Sequence, residues 1–353
     1  MTKNEILSLR LPSISREAEE QVRKNWDKVA KPLDGLGKFE ELIVRLGGIT
    51  GGSEPDIGKR AVIVMCADNG VVREGISQSG KEVTFKVAEN IAHGTASVCR
   101  MSAVAGAKVM AYDIGIDSEE YVEGIIQRRV MNGTRNFAEE PAMTEEEAAK
   151  AISVGIEAAE EAAEEGYKLL AVGEMGIGNT TTAGAVCLSL LNTEVSEVAG
   201  RGAGLDDKRL ERKKAVIAEA VEKYSLKNAE PFEVLRCVGG LDIAGMAGVY
   251  IGGALKRVPV VVDGAIAAAA ALVAERMLPG VKDFLLPSHL GRESVCLHVM
   301  KELGLDWVLD ARLALGEGTG AVMLFPLLDM ALSVYNNRTT FDDLKMENYR
   351  RFK

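Results

Sequence analysis

Short apolar runs recur along this chain, each closed by an acidic or glycine-rich turn and most followed by a helical stretch. Arg60–Ala67 (RAVIVMCA) leads into Asp68-Asn69-Gly70, and Lys108–Ile114 ends at Gly115. Lys168–Val172 leads into a glycine-rich turn, Pro259–Val262 into Asp263-Gly264, and Phe284–Leu286 into Pro287-Ser288-His289. Nearly continuous apolar runs this short suit strands covered on both faces, as parallel sheets require. Their alternation with helices predicts an α/β fold, an open and mostly parallel sheet flanked by helices. Ligands of such sheets bind beyond the carboxyl ends of the strands. Asp68, Asp113, Glu174, Asp263 and His289 fall at those ends.

The helical stretches between are Val83–Ala92, Ala96–Gly106 and an Ala/Glu-rich helix that reaches Glu165. Thr144 and Glu147 have capping-box spacing at its start, and Gly166 is a natural stop. Ahead of any strand, Ser15 is an expected N-cap for a polar helix running toward Val29, which Pro32 breaks. A second helix is expected from Gly37 through Leu46, ending at Gly47-Gly48. These two helices are expected to pack apart from the main sheet.

Charge and cysteine usage exclude several classes. The 353 residues carry 42 Lys+Arg against 52 Asp+Glu, a net of −10. General nucleic-acid binding needs a basic footprint that this balance lacks. Cys66, Cys99, Cys187, Cys237 and Cys296 are scattered without a CxxC pair, which fits a reducing cytoplasm. His93, His289 and His298 are badly spaced for a metal triad, and His298 reads as a packed residue. Met1–Arg10 has no apolar leader. The run Ala265–Ala274 is too short to span a bilayer, so no membrane partner is expected.

Three glycine loops could carry chemistry. Gly173-Glu174-Met175-Gly176-Ile177-Gly178-Asn179-Thr180-Thr181-Thr182 joins a strand to a helix. Gly176 and Gly178 permit close backbone approach, and the helix N-terminus favours an anion. It is equally a tight turn with a cap, and it is neither a Walker A loop nor a dinucleotide fingerprint. Gly200-Arg201-Gly202-Ala203-Gly204 precedes a helix bearing Lys208, Arg209, Arg212, Lys213 and Lys214. These suit a phosphate or carboxylate, or simply a solvated face. In Leu315-Gly316-Glu317-Gly318-Thr319-Gly320 the carboxylate has no bulky neighbours to shield it, so it suits a general base or a helix cap.

Together and in order, these segments resemble the nicotinate-nucleotide–dimethylbenzimidazole phosphoribosyltransferase family. The matching pieces include Lys31-Pro32-Leu33-Asp34-Gly35-Leu36-Gly37, Ala67-Asp68-Asn69-Gly70-Val71, Glu82-Val83-Thr84 and the three glycine loops. Val238-Gly239-Gly240-Leu241-Asp242, Val262-Asp263-Gly264, Pro287-Ser288-His289 and Arg312-Leu313-Ala314 complete the set. The resemblance implies a Rossmann-like α/β domain over 51–324 and a small helical domain from 1–50 and 325–353. It also implies a homodimer that uses no metal or cofactor. The implied reaction moves the phosphoribosyl group of nicotinate mononucleotide to 5,6-dimethylbenzimidazole, giving α-ribazole 5′-phosphate and nicotinate. Glu317 matches the family's general base and Glu174 a second active-site carboxylate. Gly176, Gly178, Asn179, Thr180, Gly202, Ala203, Lys213 and Asp263 are the implied nucleotide and phosphate residues. Asp68, Asn69, Ser77, Ser79, Gly80, Lys86 and Leu315 are the implied acceptor pocket.

The chemistry of the residues agrees. A ribosyl pyridinium already has a good leaving group, so no acid is needed to expel it. Positive charge spreads over the ribose as that bond breaks. The attacking azole must lose its N–H proton, and one positioned carboxylate suffices for that. Two departures fall near the acceptor pocket. Asp68-Asn69-Gly70 stands where the family commonly has Asp-His-Gly, and Ser77-Gln78-Ser79-Gly80-Lys81 replaces a Ser-x-x-Pro stretch. Adenine, another benzimidazole, phenol or p-cresol therefore remain alternative acceptors. Water as acceptor, or a non-catalytic nucleotide-binding protein on this fold, are the rival readings.

Overall fold

The structure is a computed structural model and describes residues 1–351. Helices α1 (Lys3–Leu7), α2 (Arg16–Lys28) and α3 (Lys38–Thr50) precede strand β1 (Arg60–Ala67). Then come α4 (Glu82–Ala92), α5 (Ser97–Val104), β2 (Ala107–Gly115), β3 (Ile126–Gln127), α6 (Glu145–Glu164) and β4 (Leu169–Met175). The chain continues through α7 (Asn179–Leu190), α8 (Val195–Val198), α9 (Asp207–Lys223), α10 (Pro231–Val238) and α11 (Leu241–Lys256). It closes with β5 (Val260–Val262), α12 (Ala265–Met277), β6 (Leu285–Pro287), β7 (His289–Gly291), α13 (Ser294–Leu303), β8 (Leu309–Leu313) and α14 (Thr319–Asn336).

Six strands form one sheet in the order β3-β2-β1-β4-β5-β6, and every pairing is parallel. The chain winds outward from β1 to β3, then returns to lay β4 on the other side of β1. Strand order therefore reverses between β1 and β4, where open α/β sheets leave a crevice for ligand. Asp68 and Glu174 stand at the carboxyl ends of these two strands.

The sheet separates two apolar layers. Ile63, Met65, Leu170 and Val172 face a layer that includes α6, α7, α11 and α12. Val62, Val64, Cys66, Leu169 and Ala171 share the other layer with α2, α3, α5 and α14. Helices α2 and α3 thus do not pack apart from the sheet as expected, because their apolar faces are buried in the layer that covers it, and the chain ends meet there. Asn25 donates to the Tyr335 hydroxyl at 2.9 Å, and Val29 bridges Thr340. Helix α14 is long and apolar, and its Leu324, Phe325, Leu328 and Tyr335 are buried in this layer. It runs through residue 325 without a break.

The capping box at Thr144 and Glu147 forms as the spacing predicts, and Ser15 accepts from the Ala18 amide. Three local expectations change. Helix α3 does not stop at Gly47-Gly48 but runs to Thr50, with Gly51 in the left-handed cap. Those two glycines serve packing instead: a Cβ would stand 2.6 Å from Val22 at Gly47 and 2.7 Å from Glu19 at Gly48. Asp113, near the end of β2, is committed to partners within the protein. It is buried in an ion pair with Arg129 at 2.6 Å and caps the Ile116 amide. Finally, β7 and β8 form a separate parallel pair that the apolar pattern does not announce.

Candidate active site

A cavity of about 240 Å³ opens at the carboxyl ends of β4, β5 and β6. Of the residues singled out from the sequence, Glu174, Gly176, Asn179, Thr180, Gly202, Ala203, Asp263 and Leu315 line it. Gly178, Lys213 and Glu317 stand behind or beside that lining. Asp68, Asn69, Ser77, Ser79, Gly80 and Lys86 lie outside it.

Glu174 is the next-to-last residue of β4 and is held by the Asn179 side-chain amide at the start of α7. Its Oε1 lies against Gly316, where a Cβ would stand 2.7 Å away. That explains one glycine of the 315–320 loop. Asp242, in the first turn of α11, lies beneath Glu174 and is fully buried. Asp242 Oδ1 accepts from the Ile243 amide, whereas Oδ2 has no hydrogen-bond partner among the described residues and faces Gly176. The amides of Asn69 and Asn179 lie beside it. Burial, with Asp242 close by, raises the Glu174 pKa well above the usual carboxylate range. The site therefore favours the neutral form of Glu174.

Asp242 itself is pushed up to about 6 by burial. The folded chain thus holds this proton more tightly than the unfolded chain does. Stability from Asp242 is lost as pH rises from about 4 to about 6. Asp242→Asn should therefore gain on the wild type across that window, by about 3 kcal/mol in all. Urea unfolding at pH 4, 5, 6 and 7 measures the difference. A constant offset at every pH would refute the account.

The second glycine loop is fixed by Lys213, a buried lysine on α9. Its ammonium donates to Thr180 Oγ1 at 2.8 Å and to the Gly200 carbonyl at 3.0 Å. No carboxylate is bonded to it among the described residues, and burial lowers its pKa to about 8. Gly202 sits over Thr180 with φ +52°, and a Cβ there would meet Thr180 Oγ1 at 2.9 Å. Lys213, Thr180 and the loop therefore form one positively biased wall.

Glu317 occupies a left-handed turn, with φ +62°, between Gly316 and Gly318. Its backbone lies directly on Gly173 of β4, where a Cβ would fall 2.3 Å from the Glu317 carbonyl oxygen. The carboxylate points across to α5 and accepts from the Val98 amide at 3.0 Å. It supplies the cap that Ala96, lacking a side-chain acceptor, cannot. Leu315 projects from the same loop and is 54% exposed.

The segment that departs from the family pattern lies along the rim. Ser77 Oγ accepts from the Ser79 amide at 3.2 Å, and Gln78 reaches the carbonyl of Gly204 in the second glycine loop. Lys81 pairs with Asp117 at 2.6 Å, and Lys86 is exposed on α4. Asp68 is buried and caps the Asp117 amide, and burial pushes its pKa up to about 6. Asn69 is buried next to Asp242 and reaches toward the Ile177 carbonyl.

Sequence reasoning left out several lining residues: His289, Arg292 and the run Ala265-Ile266-Ala267 at the start of α12. His289 stood at a strand end without a role, and an alanine run carries no side-chain signal at all. What it offers is backbone N–H groups, visible only once the helix points at the cavity.

The comparisons agree with this architecture. The family described as phosphoribosyltransferase matches residues 11–345. The nicotinate-nucleotide–dimethylbenzimidazole phosphoribosyltransferase of Acetivibrio thermocellus is 45% identical over 334 residues, covering 95% of each chain. The enzyme of that name from Clostridium perfringens is 44% identical, over 93% of this chain and 91% of its own. The crystal structure of CobT from Thermus thermophilus superposes with a TM-score of 0.90 at 40% identity, over 94% of this chain and 100% of that one. On sequence and fold, the chain belongs to this phosphoribosyltransferase family.

Proposed function

We propose that the chain transfers the phosphoribosyl group of nicotinate mononucleotide to the ring nitrogen of 5,6-dimethylbenzimidazole. The observation that carries this reading is one cavity that joins the Glu174 carboxyl to an anion-favouring wall, with the Glu317 loop against Glu174. The names of the relatives support the same substrates.

In this reading the nucleotide phosphate lies toward Thr180, Gly202 and α12, and the sugar lies near Glu174. The C1′–nitrogen bond breaks toward the pyridinium, whose nitrogen takes the electron pair and leaves as neutral nicotinate nitrogen. The azole nitrogen forms the new bond at C1′. Its other ring nitrogen then gives up its proton, and Glu317 accepts it. Burial favours the neutral form of Glu174, which can offer a hydrogen bond at the sugar. Holding both reactants against these fixed walls supplies much of the rate. The protein acts as a homodimer in this proposal, supported by exposed Val104 on α5 and Met323, Met330 and Val334 on α14. Five unpaired thiols support a reducing compartment.

The test is a competition between acceptors. Protein, nicotinate mononucleotide and a mixture of dimethylbenzimidazole, benzimidazole, adenine, phenol and p-cresol are incubated, and products are weighed by mass spectrometry. Phosphoribosylated dimethylbenzimidazole should dominate. A different favoured acceptor would assign the Ser77–Lys81 segment to another ring. Nicotinate release with no acceptor added would show a hydrolase, and nucleotide binding without any product would show a binding protein.

A further inference from the structure

Asp68 and Thr84 take no part in the transfer proposed above, yet both are buried and both bear on the first glycine loop. Asp68 follows β1 and is 4% exposed, and Thr84 is fully buried in the first turn of α4. The Thr84 hydroxyl oxygen accepts from the Ile177 amide at 3.2 Å. A hydroxyl carries one proton and two lone pairs, so the Thr84 proton still needs an acceptor. The Asp68 carboxyl lies beside it. Asp68 Oδ2 already holds the Asp117 amide at 2.8 Å, whereas Oδ1 is buried with no hydrogen-bond partner among the described residues. Oδ1 is therefore the oxygen open to the Thr84 proton.

A trans peptide unit is planar, so its N–H and C=O point opposite ways. With the Ile177 amide turned to Thr84, the Gly176 carbonyl of the same unit is turned away from Thr84, and it accepts from the Asn179 amide at 3.1 Å. Asn179 in turn holds Glu174 through its side-chain amide. Asn69 reaches the next peptide unit, its side-chain amide lying 3.5 Å from the Ile177 carbonyl. The loop has little room to shift on this side. A Cβ at Gly176 would stand 2.5 Å from the Ala67 carbonyl oxygen, and one at Gly178 would stand 2.7 Å from Val72. The first glycine loop thus rests on the turn that follows β1, and Thr84 fixes the orientation of its central peptide.

We propose that Asp68 and Thr84 are positioning residues for Glu174. Asp68 takes the Thr84 proton, which directs a Thr84 lone pair at the Ile177 amide. The 176–177 peptide so oriented sets Asn179 against the Glu174 carboxyl. This role rests on the proposed transfer only for what Glu174 does there. Neither residue touches the reacting atoms, and Asp68 stands outside the cavity lining because it acts from behind the loop.

Thr84→Val removes the hydroxyl at nearly equal size, and Thr84→Ser keeps it. Turnover with dimethylbenzimidazole, calorimetry with nicotinate mononucleotide and crystal structures of the full-length variants are compared with the wild type. Thr84→Val should lower kcat by about 10- to 100-fold, the scale of a reacting group misplaced by about an ångström, with the mononucleotide Kd within about three-fold. Thr84→Ser should recover most of that rate. In Asp68→Asn the side-chain oxygen can stay on the Asp117 amide, which turns the NH2 group toward Thr84 and leaves the Thr84 proton without an acceptor. Asp68→Asn should show the same split between kcat and Kd, and it decides the matter even where Thr84→Val does not fold. The double variant should be no slower than Thr84→Val, as residues acting in series require. A wild-type kcat in either folded single variant would overturn the proposal, and so would equal losses in kcat and affinity. If the wild type transfers to no acceptor, the proposed reaction fails and the crystal structures judge the relay. A turned 176–177 peptide with Asn179 withdrawn from Glu174 would support it, and an unchanged loop would overturn it.

Discussion

Glu317→Gln is expected to lower kcat/KM by about 10²- to 10⁴-fold while nicotinate mononucleotide still binds. The substitution isolates the proton acceptor from the fold. Glutamine has the same shape, and its side-chain oxygen can still accept from the Val98 amide that holds Oε2 at 3.0 Å. The left-handed turn at φ +62° and its seat on Gly173 are backbone features and should persist. What is lost is a carboxylate oxygen able to take the azole proton. The loss should therefore appear in kcat, with the nucleotide Kd within a few-fold of the wild type. Steady-state rates with dimethylbenzimidazole and calorimetry with the mononucleotide measure the two quantities. A near wild-type rate would remove Glu317 as the base. Glu174, which lines the cavity beside it, would then be the next carboxyl to test by the same substitution.

The parts of this molecule that were legible in the sequence are those where burial writes the pattern. Arg60–Ala67 and Lys168–Val172 are apolar because both sheet faces are covered, and they are the central strands β1 and β4. The Thr144 capping box is legible because its chemistry is local. Strands β3 and β8 were not, for opposite reasons. Ile126–Gln127 is too short to show a period, and Leu309–Leu313 holds Asp310 and Arg312 on an exposed pair. Glycine carried two meanings that sequence cannot separate. At Gly51 it ends a helix through a positive φ, whereas Gly47 and Gly48 lie within that helix and admit a neighbour. The site divides along the same line. Glycine loops and carboxylates announce themselves, but the free amides of Ala265–Ala267 depend on where α12 points. Asp242 lies two residues beyond a glycine pair and looks like a cap until β4 is laid above it.

Gly248→Ala is expected to destabilise the fold by about 3 kcal/mol or more, and Gly248→Val to yield no folded protein. The reason is the crossing of α6 and α11. A Cβ on Gly248 would stand 2.0 Å from the Ile152 carbonyl oxygen and 2.9 Å from the Gly155 Cα. The reverse contact is as tight: a Cβ on Gly155 would fall 1.9 Å from the Gly245 carbonyl oxygen. Backbone meets backbone here, so no flexible side chain can move aside, and the helices must separate. Separation opens the layer that covers Met65, Leu170 and Val172, which is a cost beyond the single clash. Gly52→Ala is the control, since an added Cβ there meets nothing within 4 Å. It should stay within about 0.5 kcal/mol of the wild type. Urea midpoints of the two variants decide the matter, and similar values would mean that the crossing tolerates a methyl group. The crossing also bears on the chemistry. Helix α11 begins at Leu241-Asp242, so the separation that accommodates the added methyl group displaces Asp242 under Glu174. Any Gly248→Ala protein that remains folded should therefore bind nucleotide but turn over more slowly, since the cavity wall at the start of α12, where the proposed phosphate lies, is built on a different helix from the carboxyl that α11 supports.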